Sequence, residues 1–450
     1  MIISPAPLAT KPWRFDPDSI PFDGDLLERG HIADKLTGFV NRLQAGAVLS
    51  IDAPWGEGKT WFGNHWSAKL REGGHKVVFV NAFEQDYIED PFMLIAAELA
   101  TLLDDKKGAA EKLRVTAAAV MKALLPIGTK ALINAAGRLA LGTADLSGGF
   151  EKALEAAQDR AGETAEKWVE KRLEDHAHEK NSVDDYKDAL IEFAEKEDKP
   201  VVVFIDELDR CNPAFAVRLI ERIKHFFEIE NLVFVLLMNR EQLENAIKGI
   251  YGADTDAAAY LGKFVHLFFR LPSNATNRFV PNALLRFGFG PSSPDADLVD
   301  SFSHHLEIWV KRANLSLRDV ERACALFALA TDRESGGLLA YLITLRLKKP
   351  KLYAGLLKKS PEAYKESIVW LNSFMAPVKA GQAAPTATTS PNFYTGCLME
   401  LHTSAQHHPN PVHMPYLDIH ERGVIGSAEN RFRHRAIEMV LKQIDLSLEV

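Results

Sequence analysis

Gly58, Lys59 and Thr60 close the stretch PWGEGKTW, residues 54–61, and far downstream an apolar run ends in Asp206 and Glu207. A lysine ammonium and a hydroxyl beside two glycines can hold phosphate oxygens and a hard cation. A carboxylate can share that cation, and a second carboxylate can take a proton from water. Together these residue types could cleave a phosphoryl group from a nucleoside triphosphate. The full phosphate-loop spacing G-x-x-x-x-G-K-[ST] places glycine at position 53, where this chain has Ala53. Taken alone, the stretch is either a nucleotide site with one substituted position or a glycine–lysine turn on the surface.

The flanking elements favour the first reading. AVLSIDAP (47–54) is a short apolar, partly β-branched run, as a buried strand requires. Trp61, Phe62, Trp66 and Leu70 then recur at helical spacing before the glycines of REGG, which stop a helix. Strand, glycine loop and helix in that order make a phosphate cradle, with Pro54, Trp55, Gly56, Glu57, Gly58, Lys59, Thr60 and Trp61 as the nucleotide-contacting segment. Gly56 and Gly58 leave the backbone bare so that amides can face phosphate oxygens, and the helix adds its positive end. Lys59 is expected on the β- and γ-phosphates, and Thr60 on Mg2+.

VVVFIDELDRCNP (201–213) reads as a second buried strand. Its C-terminal end delivers Asp206 to hold Mg2+ opposite Thr60, and Glu207 to orient and deprotonate the attacking water. A solvated acidic turn explains one acid after a strand, but fits poorly with a pair downstream of a GKT loop. The residues read as a nucleoside triphosphatase.

Several ordered segments resemble the KAP family of P-loop NTPases. PWGEGKT is similar to that family's W-G-x-G-K-[ST], and IDELDRC to its Asp-Asp/Glu-Leu-Asp-Arg-Cys signature. VVFVNAFEQDYIEDPFMLIAAEL (77–99) resembles the strand ending Asn-Ala-Trp-Glu, with Phe83 in place of the tryptophan. NLVFVLLMNREQLENAI (231–247) and YLGKFVHLFFRLP (260–272) resemble later segments, and the resemblance covers 24–103 and 200–330. It implies ATP rather than GTP as the nucleotide, and the absence of an Asn/Thr-Lys-x-Asp guanine signature agrees. Asn239, where most members have aspartate, is expected to hydrogen-bond the water or the γ-phosphate. Arg210 is either an arginine finger, in cis or across an oligomer, or a structural ion-pair partner of Asp209 or a neighbouring acid. NLSLRDVERACALFALA (314–330) resembles the family's Ser/Asn-x-Arg-Asp/Glu helix, in which Arg318 would reach the γ-phosphate; surface arginines on an amphipathic helix are the other reading. The resemblance also implies work with partner proteins in bacterial defence against phage, as a homo-oligomer, with operon-encoded partners, or both. The alternative is a nucleotide-gated scaffold or membrane-associated signalling protein with slow or no turnover.

Apolar runs at 47–54, 76–83, 201–207, 232–239 and 265–271 predict a mostly parallel five-stranded α/β sheet. The expected division is 1–103 for the first half of the NTPase core, 104–198 for a helical insertion and 199–275 for the second half. A helical lid follows at 276–375, then a Pro/Ala/Thr linker at 376–392 and a tail at 393–450 ending in a helix. Within the insertion, 115–142 is rich in Ala and Leu, but Lys122, Lys130 and Arg138 break it, so a bilayer span is not expected. A helical hairpin packed on the sheet, or a helix facing a membrane surface or partner, both fit. The charged stretch 151–198 reads as long solvent-facing helices.

The chain has 450 residues, 25% charged and 47% hydrophobic, with a formal charge of −8. That balance gives no indication of a nucleic-acid partner. Cys211, Cys324 and Cys397 lie far apart, which suits a cytoplasmic, reducing compartment. His402, His407, His408, His413 and His420 cluster in the tail without a recognised metal spacing and read as a solvated loop.

Overall fold

The structure is a computed structural model that describes residues 15–124, 181–374, 395–403 and 436–445, apart from 18, 44, 89, 103–107, 227–228, 273–277, 292, 294, 331–334, 396–397 and 400. The linker at 376–392, most of 115–142, and tail positions 407, 408, 413 and 420 lie outside the described residues. The described residues form two compact units, within Arg14–Pro272 and within Ser273–Val450.

Five strands build the first unit: β1 (Ala47–Asp52), β2 (Val77–Asn81), β3 (Val201–Asp206), β4 (Leu232–Met238) and β5 (Leu267–Arg270). All pair in parallel, in the order β2-β3-β4-β1-β5. β3 (VVVFID) and β4 (LVFVLLM) are buried at every position, because helices cover both faces of a parallel sheet. The alternation of a strand sorts their side chains. Val202, Phe204, Val233, Val235 and Leu237 pack with Ala33 and Leu36 of α1 (Gly30–Val40) and with Phe62 and Trp66 of α2 (Lys59–Glu72). Val201, Val203, Ile205, Phe234 and Leu236 join Phe92 and Leu99 of α3 (Pro91–Ala100) and Phe215 and Ile220 of the helix Pro213–Ile223. α2 lies tight on the sheet: a Cβ on Gly63 would sit 2.1 Å from a Leu237 methyl, so any larger residue there would force Leu237 to shift.

The strands are shorter than the apolar runs that announce them. Ala53, Pro54 and Glu207 leave the sheet at its C-terminal edge, where the chain turns into the site. The chain runs from β1 out to β2, returns through β3 and β4, and crosses β1 to reach β5. This strand-order reversal beside β1 places a ligand crevice at the strand C-termini.

Of the charged stretch 151–198, residues 151–180 lie outside the described residues, and 181–195 differ from expectation. Residues 181–195 form a helix whose Tyr186, Ala189, Leu190 and Phe193 are buried in the core, so it is amphipathic rather than solvent-facing. It packs with α4 (Ala109–Leu124), whose Leu113, Ala117 and Val120 share that core, and Lys112 bridges Glu192 at 2.8 Å.

The second unit is helical among its described residues. The helix Gly336–Lys348 is its centre, with Leu338 to Leu345 buried all round, as in an interior helix. Trp309 of the helix Ala296–Arg312 stacks on Trp370 of the helix Pro361–Asn372 at 5.5 Å. Here the tail reading is corrected at one position. His402 is fully buried, its Nε2 lies 2.6 Å from the Tyr341 hydroxyl, and its ring packs edge-on against Tyr341 and Tyr364. It is a core residue, not part of a solvated loop. The terminal helix spans Ala436–Asp445 and buries Ile437, Val440, Leu441 and Ile444 in this core.

Candidate functional site

Ala53 has no exposed surface and belongs to the α1–α2 side of the core. Its N–H donates to the Met238 carbonyl at 3.2 Å and so carries the β1–β4 ladder one residue beyond the strand. A methyl is packed here, which explains why glycine is not needed at position 53. The backbone instead turns at Gly56 and Gly58, with φ of 84° and 77°, left-handed values that glycine adopts without a Cβ clash. Gly58 caps α2, so the positive end of that helix opens on the loop.

Lys59 begins α2 and is 8% exposed. Its Nζ donates to the Ala53 carbonyl at 2.8 Å and the Pro54 carbonyl at 3.3 Å, spanning the mouth of the loop. Burial lowers its pKa, and the charges of Asp209, Asp206 and Asp52 oppose the shift. Trp61 commits its ring to an aromatic cluster, 4.2 Å from His65 and 5.7 Å from Phe22. Trp55 remains 46% exposed at the loop tip.

Asp206 ends β3 at 2% exposure. Burial pushes its pKa up to about 6, while hydrogen bonds from the Thr60 hydroxyl and the Glu207 N–H pull it back. The Glu207 N–H lies 2.8 Å from Asp206 Oδ1. Thr60, on the first turn of α2 after β1, thereby acts on the end of β3, a strand separated from β1 by β4. At Glu207 the backbone turns left-handed, φ 60°, an uncommon state for a residue with a Cβ and typical of functional turns. Its carboxylate forms a 2.5 Å ion pair with Arg210. Of the two roles open to Arg210, the structure displays the ion pair, and its partner is Glu207. The Trp55 indole N–H donates to Asp209 Oδ2, and Asp209 Oδ1 is buried with no hydrogen-bond partner among the described residues.

Asn239 follows β4, 9% exposed, and makes no side-chain cap bond to the helix Arg240–Tyr251. Asp52 does the capping: its Oδ1 accepts the Arg240 N–H at 2.9 Å. Asp52 thus fixes the β4 turn from the end of β1. Arg318 is exposed on the helix Leu317–Leu329 of the second unit. Ser316 and Asp319 form a capping box at the start of that helix, so two residues of its S-x-R-D stretch have a local role and Arg318 does not.

Sequence reasoning missed Arg29 and Asp52. Arg29 is 1% exposed and donates to the Glu57 carbonyl at 2.7 Å and the Pro272 carbonyl at 2.5 Å. Neither residue belongs to a local pattern that could have shown it. No group of three or more His, Cys, Asp and Glu poised for a metal occurs among the described residues. The Thr60 hydroxyl and the Asp206 carboxylate, whose pKa that hydroxyl lowers, are the hard oxygen donors that Mg2+ takes when phosphates and water complete its shell.

A parallel sheet in this order, a glycine loop opening α2 and an acid ending the strand two places away define a nucleotide-binding P-loop NTPase. The KAP family P-loop domain matches residues 29–331, about two thirds of the chain, and the chain belongs to that family. No curated protein gives a significant match. Among solved structures, the Aeropyrum pernix ORC2 protein in ADPNP–ADP complexes is similar at 12% identity and a TM-score of 0.34, covering 96% of this chain and 98% of that one. A likeness this weak carries no argument. No helix among the described residues is long and apolar enough to cross a membrane.

Proposed function

We propose that this protein hydrolyses ATP with Mg2+ to drive a conformational or assembly cycle. The observation that carries the reading is the Thr60 hydroxyl at the start of α2, close enough to the Asp206 carboxylate at the end of β3 to lower its pKa. Lys59 and the amides of the Gly56–Gly58 turn would hold the phosphates. Thr60 and Asp206 would hold Mg2+, which when bound neutralises phosphate charge. Glu207 would accept a proton from the attacking water at its carboxylate, with Asn239 as a further hydrogen-bonding group for that water or the γ-phosphate.

The wider role proposed is bacterial antiviral defence with protein partners, as a homo-oligomer or with operon-encoded proteins. It is supported by membership of the KAP family and by the family's association with phage exclusion. A second reading is a nucleotide-gated scaffold with slow turnover, in which the Glu207–Arg210 ion pair holds the turn after β3 in place and takes no part in proton transfer. The ATPase rate of purified protein, alone and with DNA, RNA or lysate from phage-infected cells, separates the two. Stimulated turnover supports the driven cycle; tight ATP binding without turnover under any condition supports the scaffold.

A further inference from the structure

Arg29 is one of the largest fully buried side chains among the described residues. A guanidinium removed from water is costly unless its donors are satisfied. Here Nη1 and Nη2 each meet a backbone carbonyl, those of Glu57 and Pro272, while Nε has no partner among the described residues. Burial depresses its pKa to about 10 against the opposing charges of Glu57 and Asp25. The start of α1 is fixed beside it, with Asp25 Oδ2 accepting the Gly30 N–H at 2.7 Å.

A trans peptide points its C=O and N–H in opposite directions. With the Glu57 carbonyl held by Arg29, the amide of the same peptide, that of Gly58, must face away from Arg29. Gly58 is the left-handed cap of α2, the position from which the loop and the helix meet a phosphate. The second carbonyl belongs to the last residue of the nucleotide-binding unit, 243 positions along the chain. It follows Leu271, whose N–H donates to the Asp52 carbonyl at 2.9 Å at the end of β1.

We propose that Arg29 is a positioning residue for the phosphate loop: it orients the Gly58 amide toward the phosphates and couples that peptide to the exit of β5 at Pro272. The inference rests on the ATP-binding reading above. Phosphates that pull on the Gly58 amide polarise the Glu57 carbonyl and tighten its bond to Arg29. The same guanidinium then holds the Pro272 carbonyl in a fixed place, so the point where the chain leaves this unit becomes sensitive to nucleotide. A residue that merely fills the core would not respond in this way.

The test compares the wild-type full chain with Arg29→Lys, which keeps the charge and loses the fork, and with Arg29→Met. ATP binding is measured by calorimetry, and amide exchange with and without ATP is followed at 54–61 and at Leu267–Leu271. In the wild type, ATP should slow exchange at both segments. In Arg29→Lys, affinity should fall by about tenfold, the scale of a lost charged hydrogen bond, and Leu267–Leu271 should no longer respond. Wild-type affinity in Arg29→Lys, or an unchanged response at β5, overturns the proposal. If neither variant folds, the wild-type exchange decides: a response confined to 54–61 overturns it and a response at both segments upholds it. A wild type that binds no ATP overturns the functional reading itself, a result distinguishable from loss only in the variants.

Discussion

Arg210 closes a 2.5 Å ion pair onto Glu207 from three residues along the chain. The residue proposed to take a proton from water is thereby oriented by a cation carried on the same turn. As this partner, rather than a finger on the γ-phosphate, Arg210 acts on catalysis only through Glu207. Arg210→Ala should then lower turnover about tenfold, well short of the thousandfold or greater loss typical of an arginine finger. In a Glu207→Gln background it should have almost no further effect. An equal loss in both backgrounds, in steady-state hydrolysis assays, would show that Arg210 acts independently of Glu207.

Lys59→Ala should reduce ATP affinity by about a hundredfold or more, because it removes the main side-chain charge from the phosphates. The fold should survive, since the ammonium is a desolvated charge whose removal relieves a burial cost. Calorimetry checks the first statement and thermal unfolding the second. Unchanged ATP affinity would remove the loop from the site.

Asp206 shows the opposition of stability and function. Its pKa rises from an ordinary 3.8 to about 6, chiefly through burial, so its charge opposes folding. The sign follows from linkage: the penalty is absent below about pH 4, grows between 4 and 6, and is complete above 6. Asp206→Asn should therefore raise the melting midpoint at pH 8 by about 2 °C or more. That gain should fade toward pH 4, while the Mg2+ dependence of ATP binding weakens at neutral pH. A midpoint at pH 8 below that of the wild type would contradict the burial argument.

Two buried histidines make the helical unit acid-sensitive. Burial lowers the pKa of His305 to about 4 and of His402 to about 3, whereas an unfolded histidine binds a proton near 6.5. Stability is full above that value and falls as pH drops through it, by about 1.4 kcal/mol per pH unit for each group. His402→Gln should make the decline between pH 6 and 4.5 about half as steep. Thermal scans across that range decide it, and an unchanged slope would place the acid sensitivity elsewhere.

The sheet and the phosphate loop were legible because their chemistry is local. β3 and β4 are apolar at nearly every position, as strands covered on both faces must be. Gly56, Gly58, Lys59 and Thr60 act through one turn of backbone, so their spacing alone announces them. Arg29 was not legible, because its partners at 57 and 272 become neighbours only after the sheet has closed. Asp52 was hidden for the same reason, since it caps a helix 188 positions away. In 181–195, dense charge concealed a stripe of Tyr186, Ala189, Leu190 and Phe193 at helical spacing. His402 was misread because its setting in a proline- and histidine-rich tail said nothing of Tyr341, its partner in the core.

The central claim is that Asp206 and Glu207, adjacent in sequence, divide metal binding from proton transfer. It is tested most directly by single-turnover ATP hydrolysis in Glu207→Gln, alongside ATP and Mg2+ affinity in the same protein. The substitution keeps the side-chain shape and removes the basic carboxylate. Hydrolysis should fall by about a hundredfold or more while both affinities stay within about twofold of wild type. Hydrolysis at the wild-type rate would contradict the assignment and pass the role of base to Asp209, whose buried Oδ1 has no hydrogen-bond partner among the described residues.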